Sequence, residues 1–92
     1  MAQKQNKNRS KKVKLNGKHC LSDNVREAMD AYFVDLDGHE TTDLYELFLE
    51  QVEKPLFEAV MENTDGNITK ASDMLGLNRG TLRTRLRKYG LY

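Results

Sequence analysis

The sequence has few of the residues on which disulfides, metal sites and membrane spans depend. Its 92 residues include one cysteine, Cys20, two histidines, one proline and no tryptophan. A single cysteine excludes a disulfide within the chain and is typical of a reducing cytoplasm. There is no run of about 18 apolar residues, so we expect no membrane span. The basic start lacks the apolar segment of a secretory signal. Together these absences predict a cytoplasmic protein.

Residues suited to catalysis or metal binding are also scarce. His19 and Cys20 are adjacent and would point to opposite faces of a strand, and His39 is the other imidazole. This set falls short of the three or four ligands that a metal site requires. The sequence has no glycine-rich phosphate loop of the P-loop or dinucleotide type. We therefore expect no enzymatic activity, no cofactor and no metal.

The net charge of +1 conceals a strong segregation of charge along the chain. Residues 1–20 carry seven lysines and arginines and no acid, a net charge of +7. Residues 21–62 carry a net charge of −10, and residues 63–92 a net charge of +4. A polyanion is attracted to basic segments and repelled by acidic ones. This distribution favours nucleic-acid contacts at the two ends of the sequence.

Residues 1–20 are predicted to form a flexible basic arm. They contain few apolar side chains and many Lys, Asn and Gln residues, a composition typical of disorder. Asn16-Gly17 lies between short alternating segments and indicates a β-hairpin as the alternative. A lone hairpin is marginal in water and would need support from the rest of the fold.

The first of four predicted helices opens at Ser22-Asp23-Asn24, with Glu27 completing a capping box. Gly38 is expected just past its end. Its apolar residues recur at helical spacing and form one stripe, which comprises Val25, Ala28, Met29, Tyr32, Phe33 and Leu36. This stripe is expected to pack in a core, either in the same chain or against another copy.

The second predicted helix follows Thr41-Thr42-Asp43, with Glu46 three residues after Asp43, and runs to about Asn63. Pro55 should kink it, because proline lacks an N–H and its ring meets a preceding carbonyl. The helix is apolar over more than one stripe, so it should be buried on more than one side. A second copy of the chain is the simplest source of that cover, with burial inside one chain as the alternative. The acids of this segment are interpreted as a solvated face.

A helix, a tight turn and another helix are predicted from Asn67 to Tyr89. The turn lies at Gly76-Leu77-Asn78, where glycine suits a sharp reversal and asparagine is a good N-cap. The small side chain of Ala71 would allow the two helices to cross closely. The inward faces comprise Ile68, Ala71, Met74 and Leu75 in the first helix, and Leu82, Leu86 and Tyr89 in the second.

The last predicted helix has a basic outward side. Five cations occur in ten residues with no acid among them, namely Arg79, Arg83, Arg85, Arg87 and Lys88. Free N–H groups at the helix start, with Gly80 and the hydroxyl of Thr81, suit a phosphate. A solvated basic surface is the simpler interpretation of such a run. Its combination with the helix-turn-helix pattern favours a helix that lies in the major groove of DNA.

The chain resembles the Fis (factor for inversion stimulation) family of bacterial nucleoid-associated proteins. The resemblance rests on GNITKASDMLGLNRGTLRTRLRKYG and, upstream, on VREAMDAYFVDLDG and DLYELFLEQVEKPLFEAVMENTDGN. It covers Leu21 to Tyr92 and implies an all-α, four-helix subunit in an intertwined homodimer. Residues 21–64 would be dimerisation helices and residues 67–92 the DNA-binding region.

The resemblance also implies a function: binding and bending double-stranded DNA in the nucleoid and regulating transcription. A DNA recombinase or RNA polymerase is an additional expected partner. Fis proteins carry β-hairpin arms that touch recombinases, and the arm of this chain is shorter and more basic than the familiar one. The dimer interface would include Val25, Met29, Phe33, Phe48, Val52, Leu56 and Val60.

By position, the resemblance assigns eleven DNA contacts to the C-terminal region. These are Asn67, Thr69, Lys70, Asn78, Arg79, Thr81, Arg83, Thr84, Arg85, Arg87 and Lys88. Arg83 is the expected reader of guanine N7 and O6, and Asn78 and Arg79 lie where groove and base edges meet. Thr84 stands where relatives often have a basic residue.

Two alternative functions stay open. One is a helical dimer that acts as a protein-interaction adaptor, with its basic helix against an acidic protein. The other is a detached output domain of an enhancer-binding activator, although the chain has no ATPase domain.

Overall fold

The computed structural model describes residues 13–14 and 20–92, and within them the chain is all-α, as predicted. Four helices follow one another: α1 (Leu21–Leu36), α2 (Leu44–Asn63), α3 (Ile68–Leu75) and α4 (Arg79–Lys88). The chain divides into two compact units, Met1–Thr41 and Thr42–Tyr92. The second unit unites α2 with the predicted helix-turn-helix.

In the first unit, α1 begins earlier than predicted. Cys20, in extended conformation, is the N-cap, and its N–H and Sγ donate to Oδ2 of Asp23 at 3.5 and 3.2 Å. The predicted opening at Ser22-Asp23-Asn24 with Glu27 is therefore wrong. The reason is that Asp23 itself occupies the third helical position, from which a carboxylate reaches back to the N-cap.

α1 ends as predicted, with Asp37 as a left-handed C-cap at φ 50° and Gly38 following at φ 82°. Upstream of α1, Lys14 and Cys20 form an antiparallel bridge, and the N–H of Leu21 donates to the carbonyl of Val13 at 2.9 Å. The predicted hairpin turn at Asn16-Gly17 and most of the predicted flexible arm lie outside the described residues. Whether the arm is ordered stays a prediction.

In the second unit, α2 spans the predicted residues and contains Pro55. Asp43 is its N-cap, but the side chain of Asp43 makes no capping hydrogen bond. The carboxylate of Glu46, in the first turn of the helix, pairs with Lys88 at 3.4 Å. The kink expected at Pro55 stays a prediction.

The observed helix-turn-helix agrees closely with the one predicted from the sequence. Asn67 caps α3, its side chain accepting from the N–H of Lys70 at 3.0 Å. Gly76 ends α3 in the left-handed region at φ 72°, a conformation that favours glycine. Asn78 then caps α4, so two helices are joined by a short turn with satisfied backbone groups.

The core of this unit is small. Four apolar side chains are buried together, namely Phe57, Ala71, Leu82 and Leu86. Around them pack the partly buried Val60, Met61, Ile68, Leu75, Leu77, Tyr89 and Leu91. Ala71 is fully buried, in agreement with its predicted place at a close helix crossing.

Met74 does not belong to the inward face of α3, and its side chain is 61% exposed. It follows Ile68 by six positions, which at ~100° per residue places it about 120° from Ile68 and about 60° from Ala71, beyond the edge of the core-facing stripe. The prediction that it packs inward is therefore wrong.

We expect Phe57→Ala to destabilise the protein by about 3–5 kcal/mol, because it empties the largest position of the small core. Met74→Ala, in the same unit, should change the free energy of unfolding by less than about 0.5 kcal/mol. Urea unfolding at equal protein concentration would measure both. Equal destabilisation in the two variants would contradict the described core.

Candidate nucleic-acid interface

The amino end of α4 is an exposed, well-capped helix start. Oδ1 of Asn78 accepts from the N–H groups of Gly80 at 2.8 Å and Thr81 at 3.4 Å. A Cβ on Gly80 would lie 3.2 Å from the same Oδ1, tighter than ordinary van der Waals contact. Glycine at this position thus leaves room for the cap as well as for an approaching ligand. The positive end of the helix dipole makes this start favourable for an anion.

An open groove runs along α4 from this cap. It is lined by Asn78, Gly80, Thr81, Thr84, Arg85 and Lys88, all of which were singled out from the sequence. Thr84 donates its hydroxyl to the carbonyl of Gly80 at 3.0 Å. That hydrogen bond is local to the helix, and the Thr84 side chain itself is exposed.

Residues of α3 are brought next to the start of α4. Nη1 of Arg79 lies 3.5 Å from Oγ1 of Thr69, which joins two predicted contact residues from different helices. Asn67, Thr69 and Lys70 are exposed. The hydroxyl, the ammonium and the guanidinium therefore occupy one polar surface beside the capped helix start.

The remaining predicted cations of α4 differ in their surroundings. Arg83 is half-buried, whereas Arg87 is exposed, with its guanidinium carbon 5.2 Å from the centroid of the Tyr92 ring. Arg85 and Lys88 are ion-paired to α2. Nη1 of Arg85 lies 3.2 Å from Oε1 of Glu53. Nζ of Lys88 lies 3.4 Å from a carboxylate oxygen of Glu46 and 3.4 Å from one of Glu50.

These ion pairs correct the interpretation of the acids of α2 as a solvated face. Glu46, Glu50 and Glu53 follow one another at spacings of four and three, so they lie on one side of α2, and that side faces α4. Glu53 is the most enclosed of the three, with a side-chain exposure of 16%.

The row of Glu46, Glu50 and Glu53 shifts the pKa values of two groups on the α4 side, Lys88 and Tyr89. Burial lowers the pKa of Lys88, but the hydrogen bonds to Glu50 and Glu46 and their negative charges outweigh it, and the pKa is raised above its usual value. Partial burial, with the hydrogen bond to Glu53 and the charges of Glu53 and Glu50, raises the pKa of Tyr89 to about 12.

The sequence interpretation therefore missed Glu46, Glu50, Glu53 and Tyr89 as residues that organise the basic helix. A signal was present, because one helix carries three acids at helical spacing and another carries five cations and no acid. The sequence does not show which face of α2 meets α4, so their partners could not be identified from spacing alone.

Two other kinds of site are absent from the part of the chain that the structure describes. No group of three or more His, Cys, Asp or Glu side chains that could hold a metal ion occurs in residues 13–14 and 20–92. None of the helices described has the length and apolar character needed to cross a membrane.

Comparison with known proteins points to one family. A family model described as "Bacterial regulatory protein, Fis family" matches residues 48–89. A protein named DNA-binding protein Fis from Proteus mirabilis (strain HI4320) is 52% identical over 71 residues, which cover 77% of this chain and 72% of that protein. The protein of the same name from Actinobacillus succinogenes is 54% identical over the same shares. That of Yersinia pestis (strain Pestoides F) is 52% identical.

Proposed function

The chain belongs to the Fis family of bacterial regulatory proteins, and we propose that it is a dimeric DNA-binding and DNA-bending protein that regulates transcription in the nucleoid. The observation that carries this function is the polar surface formed by the capped start of α4 and the adjoining residues of α3. It offers hydroxyl, ammonium and guanidinium groups beside the positive end of the α4 dipole, and α4 contains no acid. Such a surface binds phosphates and can present side chains to base edges.

Within this surface we assign different roles to different side chains. Arg83 reads guanine through N7 and O6, and Asn78 and Arg79 lie at the groove edge. Thr69, Lys70, Thr81 and Arg87 hold phosphates, with Asn67 at the cap of α3 beside them. Arg85 and Lys88 are partly neutralised by α2, so their phosphate contacts are expected to contribute less.

The dimer is supported by the apolar surface that one chain leaves exposed. No residue of α1 is buried, and Phe57 is the one buried residue of α2. Four of the predicted interface residues are largely exposed: Val25 at 38%, Phe33 at 50%, Val52 at 41% and Leu56 at 45%. Met29, Phe48 and Val60 are half-buried. A second copy would remove this apolar area from water, which is the main driving force of association.

In a two-fold dimer, two copies of α4 would enter successive major grooves, ~34 Å apart on straight B-DNA. Helices set closer than this require a bent duplex, and bending a site of 20–30 base pairs costs on the order of 1–6 kcal/mol. A flexible or A/T-rich centre lowers the cost. This would give sequence preference at base pairs that the protein never touches.

Further aspects of the proposal follow from the family. The protein would act in the cytoplasm, on the nucleoid, and without enzymatic activity. The basic residues 1–20 would add phosphate contacts, and contact with a recombinase or RNA polymerase is a further expectation. No observation favours the adaptor or the activator output domain.

The decisive experiment is a gel shift with circularly permuted duplex fragments at two salt concentrations. We expect mobility to depend on the position of the bound site, because a bend retards migration most when it is central. Between 50 and 200 mM salt, affinity should fall by about 10³–10⁵ if 6–10 phosphates are contacted. An adaptor would leave every duplex unshifted at low salt, and that result would contradict the proposal.

Arg83→Ala should reduce discrimination by about 1–3 kcal/mol at one base pair per half-site, because alanine cannot form the bidentate hydrogen bonds to guanine. Arg87→Ala is the matched control on the same helix. It should weaken binding to all sequences alike and make the salt slope shallower by about 1 for each phosphate that the variant no longer neutralises. Titrations across single-base variants of a bound duplex would measure both. Unchanged discrimination in Arg83→Ala would refute its role.

Leu56→Asp should abolish the dimer. Leu56 is 45% exposed in the single chain, so aspartate there keeps its hydration unless a second chain covers it. Met74→Asp, at a position that is 61% exposed and outside the proposed interface, is the control and should leave the dimer intact. Sedimentation velocity would report the mass of each variant. A dimeric Leu56→Asp would place the interface elsewhere.

A further inference from the structure

One carboxylate connects α2 to the far end of the DNA-binding helix. Oε1 of Glu53 accepts from Oη of Tyr89 at 2.6 Å and from Nη1 of Arg85 at 3.2 Å. The two donors lie in the last turn of α4 and at its C-cap, 32 and 36 residues along the chain from Glu53. A single acceptor thus holds two side chains of the basic helix.

The apolar contacts of α4 do not fix its rotation about the helix axis in the same way. Leu82 and Leu86 are fully buried against Phe57 and Ala71, which sets the distance between the helices. Apolar burial has no preferred direction, so it resists separation of α4 from α2 better than rotation of α4 about its axis. The ring of Tyr89 packs 6.1 Å from that of Phe57 at a tilt of 51°, and its hydroxyl reaches Glu53. Hydrogen bonds are directional, so this carboxylate opposes rotation.

Rotation of α4 would matter for base reading. At a radius of about 6 Å, a roll of about 10° moves a side-chain tip by about 1 Å. A bidentate contact needs both donor–acceptor distances within about 2.7–3.2 Å. A contact with a phosphate tolerates such a shift better, because a cation and an anion attract one another over a wider range of distances. A small roll would therefore impair sequence discrimination before general DNA affinity.

We infer that Glu53 is a positioning residue for DNA reading, which acts through Tyr89 and Arg85 to set the roll of α4 and hence the direction of Arg83. Arg85 is then held by Glu53, so its guanidinium contributes to the orientation of α4 more than to phosphate binding. This inference rests on the proposed function, since it explains how the same helix is held for sequence recognition. It adds a role for Glu53, Tyr89 and Arg85, of which only Arg85 was predicted to contact DNA.

Tyr89→Phe is the most informative variant, because it keeps the ring against Phe57 and removes only the hydroxyl. Glu53→Gln keeps an oxygen acceptor for Tyr89 but no longer holds Arg85 by charge, and Glu53→Ala removes both interactions. Glu62→Gln is the matched control. Glu62 is an exposed glutamate on the same helix, and nine residues at ~100° each place it about half a turn from Glu53.

The probes are a duplex selected by the wild-type protein from a randomised library and an unrelated duplex of equal length. The ratio of the two dissociation constants measures discrimination. In Tyr89→Phe and Glu53→Ala we expect this ratio to fall on the order of tenfold, within the range of one bidentate base contact. Glu62→Gln should keep the wild-type ratio.

The salt dependence of binding to the unrelated duplex reports Arg85 separately. In Glu53→Gln the freed guanidinium should reach a phosphate and steepen the slope of log K against log salt by about 0.9 per added phosphate. Glu62→Gln removes the same charge without freeing a cation, so its slope should stay at the wild-type value.

Two further readouts distinguish positioning from plain stabilisation. The double variant Glu53→Gln/Tyr89→Phe should discriminate no worse than the more impaired single variant, since both act through one contact. In an ultraviolet titration of tyrosinate, the component that titrates at about pH 12 should vanish in Tyr89→Phe and move to lower pH in Glu53→Gln.

The outcomes separate this inference from the proposed function. A wild-type protein that shifts no duplex overturns both. If the wild-type protein discriminates and both Tyr89→Phe and Glu53→Ala keep the wild-type ratio of dissociation constants, the inference alone is overturned. The inference is also overturned if a variant loses affinity for both duplexes equally and loses helical circular dichroism to the same extent, because that result indicates plain destabilisation. If Glu53→Ala fails to fold, the ratio of dissociation constants in Tyr89→Phe tests the inference.

Discussion

Four buried side chains, Phe57, Ala71, Leu82 and Leu86, carry the packing of α2 against α3 and α4. So small a core supplies little stabilisation by itself, because the burial of apolar area scales with the size of the unit. Much of the apolar surface of α1 and α2 stays exposed in one chain. In the proposed dimer, a second copy would cover this exposed apolar surface.

The same packing divides the cations of α4 into two groups. At its amino end, Asn78 caps the helix and Arg79 lies beside Thr69. At its carboxyl end, Arg85 and Lys88 pair with the acids of α2. The basic helix is thus neutralised where it meets the protein and left positive where a duplex would approach. This asymmetry explains how a chain with a net charge of +1 can present an anion-binding surface.

Several features of the fold could be read from the sequence, and the errors have local causes. The cap at Asn78 and the glycine turn at Gly76 were predicted correctly, because each depends on residues within three positions. The start of α1 was misplaced because two acids, Asp23 and Glu27, each satisfied a capping pattern. Met74 was placed inward because an apolar residue near a stripe was counted as part of it, although the helix rotates it away.

The sequence by itself determined the helices, the tight turn, the segregation of charge and membership of a family of DNA-binding proteins. These follow from short-range preferences and from a long collinear resemblance. Only the tertiary structure decided which cations of α4 pair with the acids of α2. Glu53 stands 32 residues before Arg85, and Glu46 stands 42 before Lys88. Partners that far apart meet through helix packing, and neither periodicity nor capping specifies which faces pack together.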